Sequence, residues 1–317
     1  MRSGACLMGA CMLLLAASGP CAAIERVLRV CADPNNLPFS NRAGEGFENR
    51  IAALVARDLH ARVAYTWWAQ RRGYARNTVK ADHCDVWMGV AVGVGTLDTT
   101  APYYRSAYAF VTRATRKLDI DSFDDPRLRS LVVGVQMIGN DSSNTPPAHA
   151  LARRGIVDNV RGYMIYGDYA QAAPESAIVR AVADGSIDVA IVWGPVAGYF
   201  ARRARVPLAV TPVRAPADGA LWPMAFDVGA GVRRNDAALK RDIERALAHQ
   251  RKAIERVLDD YGVPRLGAQG LGAGGALGTT SSGANGSAVA EAEQRAAARH
   301  IGDATVNPAA ATSLRRE

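Results

Sequence analysis

Residues 28–52 read LRVCADPNNLPFSNRAGEGFENRIA, and this stretch predicts a strand, a loop and a helix in direct succession. The strand covers 27–31, because its residues are mostly apolar or β-branched. The helix covers 46–60, because apolar residues recur at the spacing of one helix face: Phe47, Ile51, Leu54, Val55 and Leu59. Two prolines and three asparagines fill the loop between them, which places polar groups at the carboxyl end of the strand.

The same alternation of short apolar runs and helical patterns continues along the chain. Further strands are predicted at 62–68, 84–90, 102–112, 131–136, 160–166, 188–193 and 224–232. Further helices are predicted at 78–79, 149–154, 175–184, from 194 onward and at 235–261, the last ended by Gly262 and Pro264. Such alternation is typical of an α/β architecture with mostly parallel strands.

Residues 1–23 have the composition of a secretory signal peptide. Arg2 precedes a short apolar run, and Cys21 and Ala23 occupy the small-residue positions before a cut. The run is too short to span a membrane. Lipidation of Cys21 is the weaker alternative, because Pro20 stands where a small residue should precede a lipidated cysteine. We therefore expect an exported protein with no membrane insertion after cleavage.

The rest of the chain is predicted to form two lobes and a tail. The strand pattern restarts after residue 112, which indicates two similar α/β units in series. We assign 24–110 plus 225–264 to lobe 1 and 111–224 to lobe 2, with an interlobe cleft between them. Residues 265–317 are rich in Gly, Ala and Ser with almost no large apolar residues, so we expect this tail to be disordered.

Cleavage of the signal peptide leaves two cysteines, Cys31 and Cys84. Two cysteines in an oxidising compartment favour one disulfide, and the first and third strands of a βαβα unit are commonly neighbours. A catalytic thiol needs a nearby histidine, but His83 would point to the opposite face of a strand from Cys84. A zinc site needs four ligands, for which no recognisable spacing exists. A disulfide is favoured, and a reactive thiol or metal ligand is the alternative that geometry must decide.

The chain carries a formal net charge of +8, and the excess lies in its folded body. Basic residues cluster at 71–72, 113–117, 153–154, 202–205 and 233–234. No nucleic-acid motif accompanies them, so no nucleic-acid partner is expected. The clusters are either solvated helix ends or a surface that attracts an acidic partner or an anionic ligand.

Several motifs resemble the type II periplasmic solute-binding proteins of family 3. The resemblance covers roughly 26–264 and rests on PFS at 38–40, GFE at 46–48, APYYRS at 101–106, the strand at 188–193 and GVRRND at 231–236. More narrowly, 28–52, YTWWAQRRGYARNT at 65–78 and APYYRSAYAFVTR at 101–113 look like the binding-protein-like accessories encoded beside periplasmic quinoprotein dehydrogenases, the MoxJ and XoxJ group. This resemblance implies a two-lobed fold, a periplasmic location, a quinoprotein alcohol or methanol dehydrogenase as partner, and no catalysis.

The chain departs from the amino-acid binders of family 3 at both of their charged contacts. Those proteins hold the ligand carboxylate with an arginine after the third strand and the ammonium with a carboxylate after a later strand. Here 90–100 reads VAVGVGTLDTT and 193–195 reads WGP, without either charge. A buried zwitterion without charge partners would cost several kcal/mol, so an ordinary α-amino acid is not expected as the ligand.

The residues predicted to bind a ligand in the cleft are mostly aromatic or amide: Asn35, Asn36, Phe39, Trp68, Tyr103, Tyr104, Arg105, Gln136, Asp141, Ser142 and Trp193. Such a lining suits a flat organic ligand or an inserted peptide. The alternatives are packing in a lobe core for the aromatic residues, turn formation for the two asparagines and helix capping for Ser142. If Trp67 and Trp68 lie on a strand, only one of them can point inward.

Three functions follow from these features. The favoured one is a non-enzymatic binding protein that serves a quinoprotein dehydrogenase, either by assisting its maturation or by carrying a small organic ligand. The second is the substrate-binding subunit of an ABC transporter for an aromatic or carboxylated molecule. The third is a hydrolytic or dehydratase enzyme, for which Asp141 is the one candidate proton-transfer group. We expect no catalytic residue, no metal and no cofactor.

Overall fold

The computed structural model describes residues 25–93, 97–138, 144–166, 168–214 and 223–267. The expected signal peptide at 1–23, two predicted site residues, Asp141 and Ser142, and nearly all of the expected tail therefore lie outside the described residues. Within the described ranges, every helix is too short or too polar to cross a bilayer.

The first half of the chain alternates strands and helices as expected. Its elements are β1 (Arg26–Ala32), β2 (Asn35–Asn36), β3 (Ser40–Asn41), α1 (Phe47–Asp58), β4 (Ala61–Trp67), α2 (Tyr74–Asn77), β5 (Val86–Ala91), β6 (Asp98–Thr99) and β7 (Tyr104–Arg113). The short strands β2 and β3 pair with each other inside the first loop. The helix expected at 78–79 lies four residues earlier, because Thr78 already caps its carboxyl end.

The second half repeats the pattern and then returns to the first. Its elements are β8 (Val133–Met137), α3 (Pro146–Arg153), β9 (Val160–Met164), α4 (Ala177–Asp184), β10 (Val189–Trp193), α5 (Gly194–Ala201), β11 (Leu208–Pro212), β12 (Ala225–Val232), α6 (Ala237–His249) and α7 (Arg251–Asp260). The single long helix predicted at 235–261 is wrong, because the chain breaks into α6 and α7 at Gln250. Strand β11 was not predicted.

All described strands except β2 and β3 form one mixed sheet, in the order β4-β1-β5-β12-β7-β10-β8-β9, with β6 paired to β12 and β11 paired to β7. Strand β1 pairs in parallel with β4 and β5, and β8 pairs in parallel with β9 and β10. The central strands β7 and β12 run antiparallel to their neighbours. The expectation of mostly parallel strands therefore holds for the two ends of the sheet and fails at its centre, where the chain crosses between the halves.

Strand β7 is shared by the two halves of the sheet. Its residues 104–107 pair with β12, and its residues 108–112 pair with β10. The predicted lobe boundary at 110/111 falls inside this strand. The division of the chain into lobes at these positions stays a prediction.

Helices pack on both faces of the sheet and enclose separate apolar cores. In the first half, Phe47 and Ile51 of α1 pack with Ile243 of α6 and Leu258 of α7. In the second half, one core lies under α3 and another under α4 and α5. The closing helices α6 and α7 therefore belong to the core of the first half, since their apolar faces are buried there.

The predicted disulfide between Cys31 and Cys84 is confirmed. Cys31 lies on β1, whose residues 30–31 pair with residues 86–87 of β5, so the two Cα atoms are 5.5 Å apart. Both residues are fully buried. A reactive thiol or metal ligand at these positions is thereby excluded, and across the described residues no cluster of His, Cys, Asp and Glu could hold a metal ion.

Candidate functional site

A cavity of about 440 Å³ opens between the first loop and the second half of the chain. Its walls come from the first loop, α1, β5, the start of β7, the ends of β8 and β10, and β12. Because several of these strands end at the same edge of the sheet, the cavity lies at the carboxyl ends of strands, where ligands bind in open α/β sheets.

Strand β5 supplies one wall through its alternation. Val86 and Met88 point into the core of the first half, and Val90 is also buried. The alternate residues of β5 are Trp87, Gly89 and Ala91. They face the cavity, because successive side chains of a strand point to opposite faces.

Glu48, the second residue of α1, points into this cavity beside Gly89. A Cβ atom on Gly89 would lie only 1.8 Å from Glu48 Oε1, and the φ angle of Gly89 is +75°, so glycine alone leaves room for the carboxyl group. Burial raises the pKa of Glu48 well above its ordinary value, and the charge of Asp33 adds to the rise. Within the described part of the chain this carboxyl group accepts no hydrogen bond.

Glu175, in the 3-10 turn before α4, is the second carboxyl group that lines the cavity. Gln136 Nε2 donates a hydrogen bond to Glu175 Oε2 at 3.2 Å, and Gln136 Oε1 accepts one from Trp193 N at 2.9 Å. Burial, followed by the charge of Asp33, raises the pKa of Glu175 to about 8. Gln136 therefore orients Glu175 with one end of its amide and holds the end of β10 with the other.

Aromatic rings form most of the remaining lining. The ring of Trp193 packs against Tyr108 and Phe226, with centroids 5.3 and 5.8 Å apart. On the opposite wall, Tyr74 packs against Trp87 at 4.7 Å. The Tyr74 hydroxyl is buried and, among the described residues, has no hydrogen-bond partner. The cavity is thus apolar on its walls with a few isolated polar groups.

The first loop is bonded to the segment at 168–173 across the mouth of the cavity. Asn35 Nδ2 donates to Gln171 O at 2.8 Å, and Ala173 N donates to Asn35 Oδ1 at 3.3 Å. The Tyr169 hydroxyl donates to Asp33 Oδ2, which also accepts from Gln70 N at 2.6 Å. These contacts join the two halves of the chain over the cavity.

The structure brings five of the predicted site residues together around the cavity: Asn36, Phe39, Tyr104, Gln136 and Trp193. Asn35 lies at the mouth, in the bonds just described. Their role in ligand binding stays a prediction.

Three other predicted site residues lie outside the cavity. Trp68 is 43% exposed just beyond the end of β4. Tyr103 precedes β7, its ring lies 5.3 Å from that of Tyr104, and its hydroxyl accepts a hydrogen bond from Gly89 N at 3.0 Å. Arg105 forms an ion pair with Asp227 at 2.7 Å. The cavity gives no support to a ligand-binding role for these three.

Sequence reasoning missed both carboxyl groups of the cavity. Glu48 belongs to the quoted GFE motif, but an acid in the first turn of a helix usually faces solvent. Glu175 lies far in sequence from the two places where amino-acid binders carry their charges. The first of those places lacks the arginine and the second lacks the carboxylate, yet carboxyl groups reach the cavity from other elements.

No protein-family model matches the sequence. The chain is 34% identical over 251 residues to protein MoxJ of Methylorubrum extorquens strain AM1, which covers 75% of this chain and 81% of that protein. It is 33% identical over 276 residues to protein MoxJ of Paracoccus denitrificans, which covers 81% of this chain and 96% of that protein. The chain belongs to the MoxJ family.

A solved structure supports the same assignment. The periplasmic binding protein XoxJ of Methylobacterium extorquens AM1 superposes with a TM-score of 0.63 at 36% identity, covering 76% of this chain and 99% of XoxJ. The expected two-lobed type II periplasmic-binding-protein fold and the periplasmic location are thereby confirmed. Members of the MoxJ family are binding-protein accessories of periplasmic methanol dehydrogenase systems, and this chain is one of them.

Proposed function

We propose that this chain serves a periplasmic quinoprotein alcohol dehydrogenase by binding to it directly, without catalysing a reaction of its own. Family membership carries the proposal, since both MoxJ proteins align with most of the chain. We also propose that the chain divides into lobes near the predicted boundaries, with strand β7 shared between them.

A surface at the mouth of the cavity is the proposed contact with the dehydrogenase. It consists of Trp68, Arg71 and Arg72, which we call the Trp68 surface, and all three side chains are exposed. Trp68 N donates to Ala32 O at 3.0 Å, so the surface is held beside the first loop. Tryptophan and arginine are enriched among the interface residues that contribute most of the binding free energy. The two arginines favour an acidic patch on the dehydrogenase.

A pull-down with the tagged mature chain and the purified dehydrogenase of the same organism tests the proposal. We expect the dehydrogenase to be recovered at low salt and less of it at high salt, because charge attraction between exposed groups is screened. Failure to recover it at low salt would contradict direct association.

A substitution pair tests the surface itself. Trp68→Ala should weaken the association at least about tenfold, in the range of tryptophan residues that dominate interfaces. Val157→Ala is the matched control, because Val157 is 56% exposed and lies in the second half of the chain. Equal affinities for the two variants would place the contact elsewhere.

A further inference from the structure

The cavity presents two carboxyl groups to one space and pairs neither with a cation. Glu48 enters from α1 in the first half, and Glu175 enters from the turn before α4 in the second half. Within the described residues, neither carboxyl group forms a salt bridge. Removing a carboxylate from water without a positive partner is unfavourable, so these two groups favour a ligand that carries positive charge.

The arginine at the rim does not supply that charge. Arg71 lines the cavity, but its side chain is exposed and its guanidinium lies over the ring of Tyr169, 5.2 Å from the ring centroid. An exposed charge is solvated and screened, so it offsets little of the cost of a buried carboxylate.

The aromatic walls add a second preference for positive charge. Trp87, Trp193 and Phe226 line the same space as the two carboxyl groups. The faces of such rings attract cations, most strongly where water is excluded. Tyr74, which is 4% exposed, adds its ring to the same lining. A volume of about 440 Å³ is within the range of sites for small organic molecules.

We propose that this cavity binds an organic cation, a protonated amine carried on a flat aromatic body, with Glu48 and Glu175 as its charge partners. The amine lies between the two carboxyl groups, and the ring packs against the aromatic walls. This goes beyond association with the dehydrogenase, and it concerns the interior of the cavity, which shares only Arg71 with the Trp68 surface.

Three ligands that share the indole ring system and differ in charge test the proposal: tryptamine, tryptophol and indole-3-acetate. Calorimetry on the isolated wild-type mature chain should show tryptamine binding at least tenfold more tightly than tryptophol, with indole-3-acetate weakest. Tighter binding of indole-3-acetate, equal binding of all three, or no binding of tryptamine would overturn the proposal. The dehydrogenase is absent from this measurement, so its outcome is separate from that of the pull-down.

Substitutions then assign the charge partners. Glu48→Gln and Glu175→Gln should each weaken tryptamine at least tenfold and leave tryptophol nearly unchanged, because the amide keeps the shape and loses the charge. Glu255→Gln is the control, since Glu255 pairs with Arg251 on the surface of α7. Equal effects of either cavity substitution on tryptamine and tryptophol would contradict a charge contact.

The pH dependence gives an independent readout. Binding of a cation requires both carboxyl groups to lose their protons, so tryptamine affinity should rise from pH 6.5 to 8.5, through the pKa of about 8 at Glu175. Asp33 opposes ionisation of both carboxyl groups. The other titratable or charged groups around them are Arg71, Tyr74, Tyr103, Tyr104, Tyr108, Tyr166 and Tyr169. Tryptamine affinity that falls over this range would contradict the proposal.

Discussion

Glu48 and Glu175 show how burial changes the chemistry of a residue. Each carboxyl group faces an apolar wall, and desolvation disfavours its charged form. Asp33 adds a nearby negative charge in both cases. A perturbed pKa of this kind commonly marks a functional site, because burying an ionisable group costs free energy and is common where the group has a function.

The raised pKa of Glu175 predicts that the protein loses stability as pH rises. Its folded pKa is about 8 and its ordinary value is 4.5, so between these values the folded chain keeps a proton that the unfolded chain has lost. Stability should therefore fall across this window, by roughly 1.4 kcal/mol per pH unit for one fully coupled proton. Below pH 4.5 the folded and unfolded chains both keep the proton, so this stability is fully retained.

Glu175→Gln should flatten this pH dependence and stabilise the chain at pH 8 relative to wild type. Urea unfolding at pH 5, 6.5 and 8 measures both effects. Glu48 has the same sign and remains in the variant, so some slope should persist. Glu255→Gln should keep the full wild-type slope. A Glu175→Gln profile parallel to that of wild type would refute the assignment.

At the scale of elements, the pairing of β1 with β5 decides the position of the cavity. Parallel pairing brings the carboxyl ends of both strands to one edge, where the first loop and the wall of β5 meet. The disulfide joins Cys31, at the end of β1, to Cys84, just before β5. It therefore holds β1 to the start of β5 beneath the first loop.

Removal of this disulfide should destabilise the protein substantially. Cys31 and Cys84 are 53 residues apart in sequence, and closing a loop of that length stabilises the folded state by about 4 kcal/mol in the chain-entropy description. In urea unfolding, the Cys31→Ala, Cys84→Ala double variant should lose most of this stabilisation of the folded state. Reduced wild type is the control and should show a similar loss. A loss below about 1 kcal/mol would indicate that the strands are held by packing alone.

The break between α6 and α7 is also decided at this scale. Apolar residues keep their helical spacing through 235–261, so local sequence predicts one helix. At Gln250 the side chain donates to Asp58 Oδ1 at 3.1 Å and accepts from Arg57 at 3.4 Å, both at the end of α1. The break accompanies contacts with residues nearly 200 positions away, which no local pattern can show.

At the scale of the whole molecule, the first loop closes the cavity against the segment at 168–173. Asn35 and Asp33 supply bonds from the first half, and Tyr169 and Gln171 supply them from the second. Few contacts of this kind hold the mouth, so they should govern how readily the cavity opens. Their loss should affect opening far more than global folding.

Tyr169→Phe tests this view. The substitution removes the hydrogen bond to Asp33 and keeps the ring beneath Arg71. A hydrogen bond to a charged group contributes roughly 1.5–3 kcal/mol, so amide exchange at 169–173 should speed up at least about tenfold. Tyr163→Phe is the control, because Tyr163 packs on the core under α4 and α5. Unchanged exchange at 169–173 would show that other contacts keep the mouth closed.

The sequence by itself determined the α/β class, the order of most elements, the pair of cysteines and the resemblance to the MoxJ group. These follow from local periodicity and short motifs, which depend on neighbours along the chain. The tertiary structure alone decided the antiparallel centre of the sheet, the break at Gln250 and the approach of Glu48 and Glu175 to one cavity. Each depends on residues far apart in sequence, and burial, which sets the chemistry of both carboxyl groups, exists only once those residues have packed together.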